Sequence, residues 1–422
     1  MRLLLSLIVL MLVVGHIFSL DMGLGPGLSA KNAILYVAAV FIVFRIVVSG
    51  EFKMEMAGFL GCYFLLIIYA ITSWLVAGLL IQYRSYELLA SGIFLKTYLI
   101  DPLIFFLAFM LGARTTDDAI KLIKVLCIAC VLTNIATLGD AFHVFSLGNY
   151  VSAGGSGRMN GPLGEPNQYG DFIVIFLPPM CAAMSLSQGF RRVLWLMGIA
   201  VSAAALLTTA SRAAFVAALL SSIFGVYMMR NYLSASKIMS WAVRVFAIGV
   251  VIVAIVSIEF KELLTERLIG ESEQVSVGAI SSGRTEFWMQ AIEKMMSEPI
   301  SLVTGFGWDT YSIMGFNWSA HSYYLTLWFN LGIPGLILGV LLFVILIREA
   351  RSALPAADAE SRVYLMAFLF SMLALVIAIM FNELFTPLSY IWSYAGVAIR
   401  IALNARQAAH KVRAPRAAAL AH

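Results

Sequence analysis

The chain has 422 residues, 61% of them hydrophobic and only 12% charged, and its 28 basic residues against 23 acidic ones give a net charge of +5. Soluble globular domains carry about 25% charged and 45–50% apolar residues, so this composition excludes a soluble globule and requires a membrane. The basic excess is no nucleic-acid footprint either: the lysines and arginines are scattered between apolar runs and gathered in the tail, without an aromatic-basic groove pattern, and no nucleic-acid partner is expected.

In chain order, twelve apolar runs approach the ~20 residues that cross a ~30 Å hydrocarbon core as a helix. They fall at about 3–20, 33–48, 57–81, 95–113, 122–139, 170–187, 193–210, 213–229, 240–259, 323–347, 363–381 and 388–403. None alternates with period two, so they read as helices and not as barrel strands. The expected fold is an all-α polytopic membrane protein with about twelve transmembrane helices in one integral membrane domain spanning 1–422. Arg2 precedes the first run, but no small-x-small cleavage site follows it, so it is kept as a helix. Cys62, Cys127, Cys130 and Cys181 all lie inside apolar runs. The Cys127–Cys130 pair lacks a histidine or a second CxxC and reads as packing, not metal binding.

Lysine and arginine placement sets the orientation. With the N-terminus in the cytoplasm, the inner segments collect Arg2, Arg45, Lys53, Arg114, Lys121, Lys124, Arg191, Arg192, Arg348, Arg351 and the basic tail at 404–422. Both termini are therefore expected inside. Two outer segments are long. The first, 140–169, ends in "GGSGRMNGPLGEPNQYGD". The second, 260–322, lies between the ninth and tenth runs. Its portion 283–297 carries Phe287, Trp288, Ala291, Ile292, Met295 and Met296 as an apolar stripe at helical spacing. Such a helix lies on the membrane surface or packs on its own domain, and the sequence leaves both open. Glu271 and Glu273 have no third ligand in view and read as solvated charges, so no metal is expected.

Four groups of polar residues on the outer side need a reason. The run 193–229 is too long for one span, so the chain turns near "TTASRAAF", which sets Arg212 at the outer boundary. Mid-bilayer arginine costs at least ~2.5–3.5 kcal/mol, and an outer arginine opposes the charge bias, so Arg212 is a functional candidate beside the plainer reading of a snorkelling anchor. Arg284 stands at the start of the amphipathic helix, where the dipole disfavours a cation and where an anion would meet both guanidinium and free N–H groups. His321 sits in "NWSAHSYYLTLWF", at the step from polar loop to apolar run. Arg158, Asn160, Pro166, Asn167 and Gln168 close the first loop, where Pro-Asn can also be a simple helix start. Gly305 and Gly307 in "TGFGWDTY" permit a close backbone approach.

The stretches "GRMNGPLGEPNQYGD", "TTASRAAFVA", "GRTEFWMQAIEKMMSEPISLVTGFGWDTY" and "AHSYYLTLWFNLGIPGLILGV", in that order, resemble the O-antigen ligase / O-antigen polymerase superfamily of bacterial inner-membrane proteins, from about 150 to 390. The resemblance implies a GT-C-like fold with a large periplasmic loop between spans nine and ten. It also implies transfer of a glycan from undecaprenyl pyrophosphate to an acceptor hydroxyl at the periplasmic face, without a cofactor. By motif match, Arg212 and Arg284 correspond to the family's turn and loop arginines, and His321 to its loop-end histidine. The chain departs from the family in having Ser322 after the histidine, where asparagine is usual, and in reading "WFNLG", with Asn330, where a glutamate is common.

The residue types fit that chemistry on their own terms. Guanidiniums bind phosphate bidentately and do not lose their proton, and an imidazole can take the proton of an acceptor hydroxyl near neutral pH. The expected roles are therefore His321 as general base, Arg212 and Arg284 on the pyrophosphate, and Arg158, Asn167, Gln168 and Tyr323 as substrate contacts, with metal-independent inversion. The expected partners are an undecaprenyl-pyrophosphate-linked glycan, a lipid A-core acceptor and membrane lipids. A second repeat-unit carrier (a polymerase) or a protein hydroxyl are alternative acceptors. From a different class, a secondary transporter or lipid flippase would draw on Lys96 and Asp101 in or beside the fourth run.

Overall fold

A computed structural model describes residues 1–20, 23–25, 27–49, 56–145, 150–151, 157–228, 284–316 and 320–420, with 234, 256 and 260. The ninth expected span at 240–259, Glu271 and Glu273, and most of the second long loop before Arg284 lie outside the described residues, apart from 256 and 260.

The described chain is an all-α membrane protein. Its helices are α1 (Arg2–Ile17), α2 (Ala30–Ser49), α3 (Ala57–Leu75), α4 (Leu88–Leu95), α5 (Asp101–Gly112), α6 (Thr116–Ala141), α7 (Pro166–Leu186), α8 (Gly189–Thr209) and α9 (Arg212–Met228). They continue with α10 (Arg284–Ser297), α11 (Ile300–Thr304), α12 (Tyr323–Ala353), α13 (Ala359–Ala378) and α14 (Leu388–Leu420). A short antiparallel ribbon, β1 (Gly23–Gly25) and β2 (Leu28–Ser29), precedes α2. π-helical turns extend α3 through Val76–Ile81 and join α4 to α5 through Lys96–Ile100.

Among the described residues, seven helical stretches are long and apolar enough to cross a membrane: Ala57–Ile81, Leu88–Gly112, Thr116–Ala141, Pro166–Leu186, Gly189–Thr209, Tyr323–Ala356 and Ala359–Ala378. The apolar helices at Arg2–Ile17, Asn32–Phe44 and Arg212–Tyr227 are shorter. α14 is not among the seven, and its surroundings explain why. Its first turns are enclosed by other helices, with Tyr390, Tyr394, Val397, Ile399 and Ile401 fully buried, so they need not match the polarity of lipid. Gly396 lets α14 lie directly on α5, since a Cβ there would come within 2.3 Å of the Phe106 carbonyl oxygen. One turn further on, Arg400 Nε donates to the Met110 carbonyl at 2.8 Å. The four cysteines are free and, as expected, part of the packing.

Lys96 and Asp101 form a closed local network. Lys96 Nζ donates to Asp101 Oδ2 and to the Gly27 carbonyl, each at 2.8 Å. Asn32 Nδ2 donates to the same carboxylate at 3.1 Å, and Tyr36 donates to its other oxygen. A carboxylate in a span is tolerated when its lone pairs are filled in this way, and the network ties α2 and its ribbon to the α4–α5 junction. The pair is thus accounted for as a structural tie.

α12 is broken. Gly332 has φ 64° and ψ −167°, outside the helical region, and Pro334 follows it. A break frees backbone carbonyls, which inside a membrane must find new donors. The loop after α11 supplies them: Phe306 N donates to the Phe329 carbonyl at 2.8 Å and Gly307 N to that of Asn330 at 3.1 Å. Contact is so close that a Cβ on Gly332 would lie 2.0 Å from the Val303 oxygen, and one on Gly305 would lie 2.4 Å from the Asn330 oxygen. The glycines expected to permit a close approach make this crossing possible.

The stripe of α10 points into the protein. Ala291 and Met295 are fully buried, and Trp288 and Ile292 pack with them against Phe306, Tyr311, Leu325 and Phe329. Of the stripe, Met296 is left exposed, at 65%. The helix packs on its own domain, and this holds Arg284, its first residue, over the end of the bundle.

Candidate active site

Glu165 caps α7: its Oε2 accepts from Gln168 N at 2.6 Å, and its Oε1 from Asn167 Nδ2 at 2.7 Å. That fixes the asparagine amide with its oxygen outward, where Oδ1 accepts from Arg158 Nη2 at 2.8 Å and from Ser211 Oγ at 3.1 Å. Arg158 Nε in turn donates to the Thr209 carbonyl at 2.8 Å. Gln168 Oε1 accepts from the backbone N–H groups of Phe385 and Thr386, at 2.9 and 3.2 Å. Arg158, Asn167 and Gln168, expected as substrate contacts, therefore serve as struts joining the first loop to the α8–α9 turn and to the α13–α14 link.

That turn delivers Arg212. α8 ends on Ala210 in the left-handed region, at φ 45°, which reverses the chain within two residues. Ser211 Oγ then accepts from Ala214 N at 3.3 Å, capping α9. Gly170 allows α7 to press on the turn, since a Cβ there would meet Ser211 and Ala214 side chains at 3.0–3.1 Å. Arg212 is the first residue of α9, at the end of the bundle where its neighbours Thr209 and Ser211 meet the α7 start.

Arg284 arrives as the first residue of α10. Its Nη2 donates to Asn382 Oδ1 at 3.2 Å, and Asn382 Nδ2 donates to Asp171 Oδ2 at 2.6 Å. Asp171 is fully buried, and its Oδ1 has no hydrogen-bond partner among the described residues. His321 precedes the N-cap of α12 and has φ 47°. Its ring meets Phe287 edge-on at 6.4 Å, and Trp288 Nε1 donates to the neighbouring Ala320 carbonyl at 2.7 Å. The Tyr323 ring packs among Tyr98, Tyr324 and Phe343, and the residue is 9% exposed. The first turn of α12 faces it into the bundle, so its backbone N–H, donating to the Ile379 carbonyl at 2.9 Å, is what meets the α13–α14 link.

The groups feel one another. Burial lowers the basicity of the Arg284 guanidinium; Glu165 and Asp171 oppose that, and the nearby positive charge of Arg212 adds to it. The His321 imidazole is likewise held below its usual range, first by burial and then by Arg284, with Glu165 acting in the opposite sense. Arg284 thus lies within electrostatic reach of Arg212, His321, Glu165 and Asp171 at one end of the bundle. Glu165, Asp171, Asn382 and Glu383 are absent from the sequence-based candidates. The signal for the last two was the polar "FNELFTP" between α13 and α14. Glu383, 4% exposed, accepts from Thr326.

Residues 197–340 match the O-antigen ligase family model. That match supports the resemblance of the chain to the O-antigen ligase superfamily. The resemblance is borne out over that region, which holds three of the four stretches that carried it, together with Arg212, Arg284 and His321. The match supports a ligase- or polymerase-type function, that of a glycosyltransferase-like enzyme with glycan substrates in a membrane. No curated protein matches the chain.

Proposed function

We propose that the protein transfers a glycan from undecaprenyl pyrophosphate to a sugar hydroxyl of lipid A-core, at the periplasmic face of the bacterial inner membrane. The observation that carries this reading is the convergence, from separate parts of the chain, of two arginines and one histidine on a single end of the bundle. The α8–α9 turn brings Arg212, the start of α10 brings Arg284, and the step into α12 brings His321. Mutual electrostatic influence supports their proximity: Arg212 acts on Arg284, and Arg284 on His321.

In the mechanism, the pyrophosphate of the donor lies against Arg212 and Arg284, whose fixed charges stabilise the negative charge that grows on the departing oxygen. The acceptor hydroxyl attacks the anomeric carbon from the opposite side, the bond from that carbon to the phosphate oxygen breaks, and the centre inverts. His321 takes the hydroxyl proton and returns it to water. The lowered basicity of His321 suits this role, since the imidazole must be neutral to accept the proton. The arginines take the place a divalent metal would hold, so the proposed reaction is metal-independent. The GT-C-like layout of about twelve spans, cytoplasmic termini and the long loops at 140–169 and 260–322 belong to the same reading. Deleting the gene tests it: full-length glycan should accumulate on the lipid carrier and vanish from lipid A-core. Retention of glycan on lipid A-core would refute ligation, and loss of chain length on the carrier would point to polymerisation instead.

A further inference from the structure

Asp171 poses a problem that the mechanism leaves unsolved. A fully buried carboxylate costs stability unless both oxygens are satisfied, yet Oδ1 has no partner among the described residues and Oδ2 has Asn382. An asparagine of the same shape would remove the charge at little cost in packing. The polarity of its contacts gives the reason for the acid. A carboxylate only accepts hydrogen bonds, whereas a guanidinium only donates them. Asn382 stands between the two and can satisfy both in one orientation only, NH₂ toward Asp171 and carbonyl toward Arg284. Both ends of that arrangement are present, at 2.6 and 3.2 Å. Asn382 is itself 3% exposed, and its backbone carbonyl accepts from Tyr323 N at 3.3 Å, so its main chain is pinned and the orientation of its amide is set by its two side-chain contacts.

We propose that Asp171 is a positioning residue: it locks the Asn382 amide so that the carbonyl, and not the NH₂, holds the Arg284 guanidinium in the site. The inference rests on the reading of Arg284 as a pyrophosphate ligand and adds to it the device that aims the side chain. Without the acid, the amide can turn its NH₂ toward Arg284, donor against donor, and the guanidinium swings out of register.

The consequence separates positioning from simple support. Asp171→Asn keeps the shape of the side chain and removes a buried acid whose Oδ1 has no partner among the described residues, so the purified protein should melt at the same temperature or higher. Its affinity for unglycosylated undecaprenyl pyrophosphate in detergent micelles should nevertheless fall about tenfold, the scale of one hydrogen bond to a charged group. Arg284→Ala should weaken binding at least as much, and adding Asp171→Asn to it should cost nothing further. Wild-type affinity in Asp171→Asn, with Arg284→Ala impaired, would overturn the inference and leave the pyrophosphate reading intact. Wild-type affinity in Arg284→Ala would remove both. If Asp171→Asn lowers melting temperature and affinity together, Asn382→Ala decides: affinity lost at unchanged melting temperature upholds the device, and parallel loss of both overturns it.

Discussion

His321 is held in the left-handed backbone region at φ 47°, where an L-residue with a Cβ is strained by roughly 1–2 kcal/mol. Asparagine tolerates that region far better than most residues. His321→Asn should therefore keep the fold: some backbone strain is relieved, and the edge contact with Phe287 is lost. These terms oppose each other at about 1 kcal/mol each, which leaves the melting temperature within a few degrees for a chain of this size. Catalysis should respond on another scale, because an amide cannot accept a proton near neutral pH. General-base assistance is worth roughly 10²–10⁴ in rate, or about 3–5 kcal/mol of barrier. The assay is glycan transfer from a purified lipid-linked donor to lipid A-core in detergent, with melting followed in parallel. Transfer should fall at least 100-fold in His321→Asn while carrier affinity stays close to wild type. The pH profile adds a sign. Burial and Arg284 hold the imidazole below its usual range, so the base form persists to lower pH, and the acid limb of the rate should lie below the ordinary value of about 6.5. Glu165→Gln removes the opposing influence and should move that limb lower still. Transfer by His321→Asn within tenfold of wild type would refute the general-base role.

Arg212→Lys and Arg284→Lys keep the charge but lose the planar fork, so carrier affinity should drop about tenfold or more in each; unchanged affinity in titrations with undecaprenyl pyrophosphate would remove that arginine from the site. Gly332→Ala meets both a left-handed backbone and the Val303 oxygen at 2.0 Å, so it should destabilise by at least 1–3 kcal/mol, read as a lower melting temperature; an unchanged one would argue against the crossing at the α12 break. For the orientation, Gln290→Cys in α10 should react with a membrane-impermeant thiol reagent in intact spheroplasts and Ala359→Cys at the start of α13 should not, and the reverse pattern would place the site in the cytoplasm.

Most helices were legible because lipid imposes a simple demand on sequence: a helix that faces it must be apolar throughout. Helices occupy the expected positions wherever the chain is described, and α14 was found as the run 388–403 although its enclosed face makes it the least apolar of the long ones. The break in α12 was not legible. "FNLGIPG" lies inside a run that reads as one span, and only the arrival of N–H groups from Phe306 and Gly307 makes the interruption affordable. The same holds for the stripe of α10, whose direction is set by Phe306 and Phe329 and not by its own spacing.

The site divides along similar lines. Arg212, Arg284 and His321 could be found because a cation or imidazole at such a boundary is conspicuous. Asp171 and Asn382 could not, because their meaning exists only in contact, across a separation of 211 residues. Glu165 read as an ordinary helix cap, and it is one; the cap also places a carboxylate within electrostatic reach of His321 and Arg284. That dual use follows from the problem the site faces. Arg284 loses basicity first through burial and further through the nearby charge of Arg212, with Glu165 and Asp171 acting in the opposite sense. In the proposed mechanism, acids nearby offset the repulsion until the pyrophosphate arrives. They must not pair directly with the cations, or they would compete with that anion for the same donors. Asp171 meets this condition by reaching Arg284 only through an amide, which transmits orientation and leaves the remaining guanidinium N–H groups uncommitted to that carboxylate.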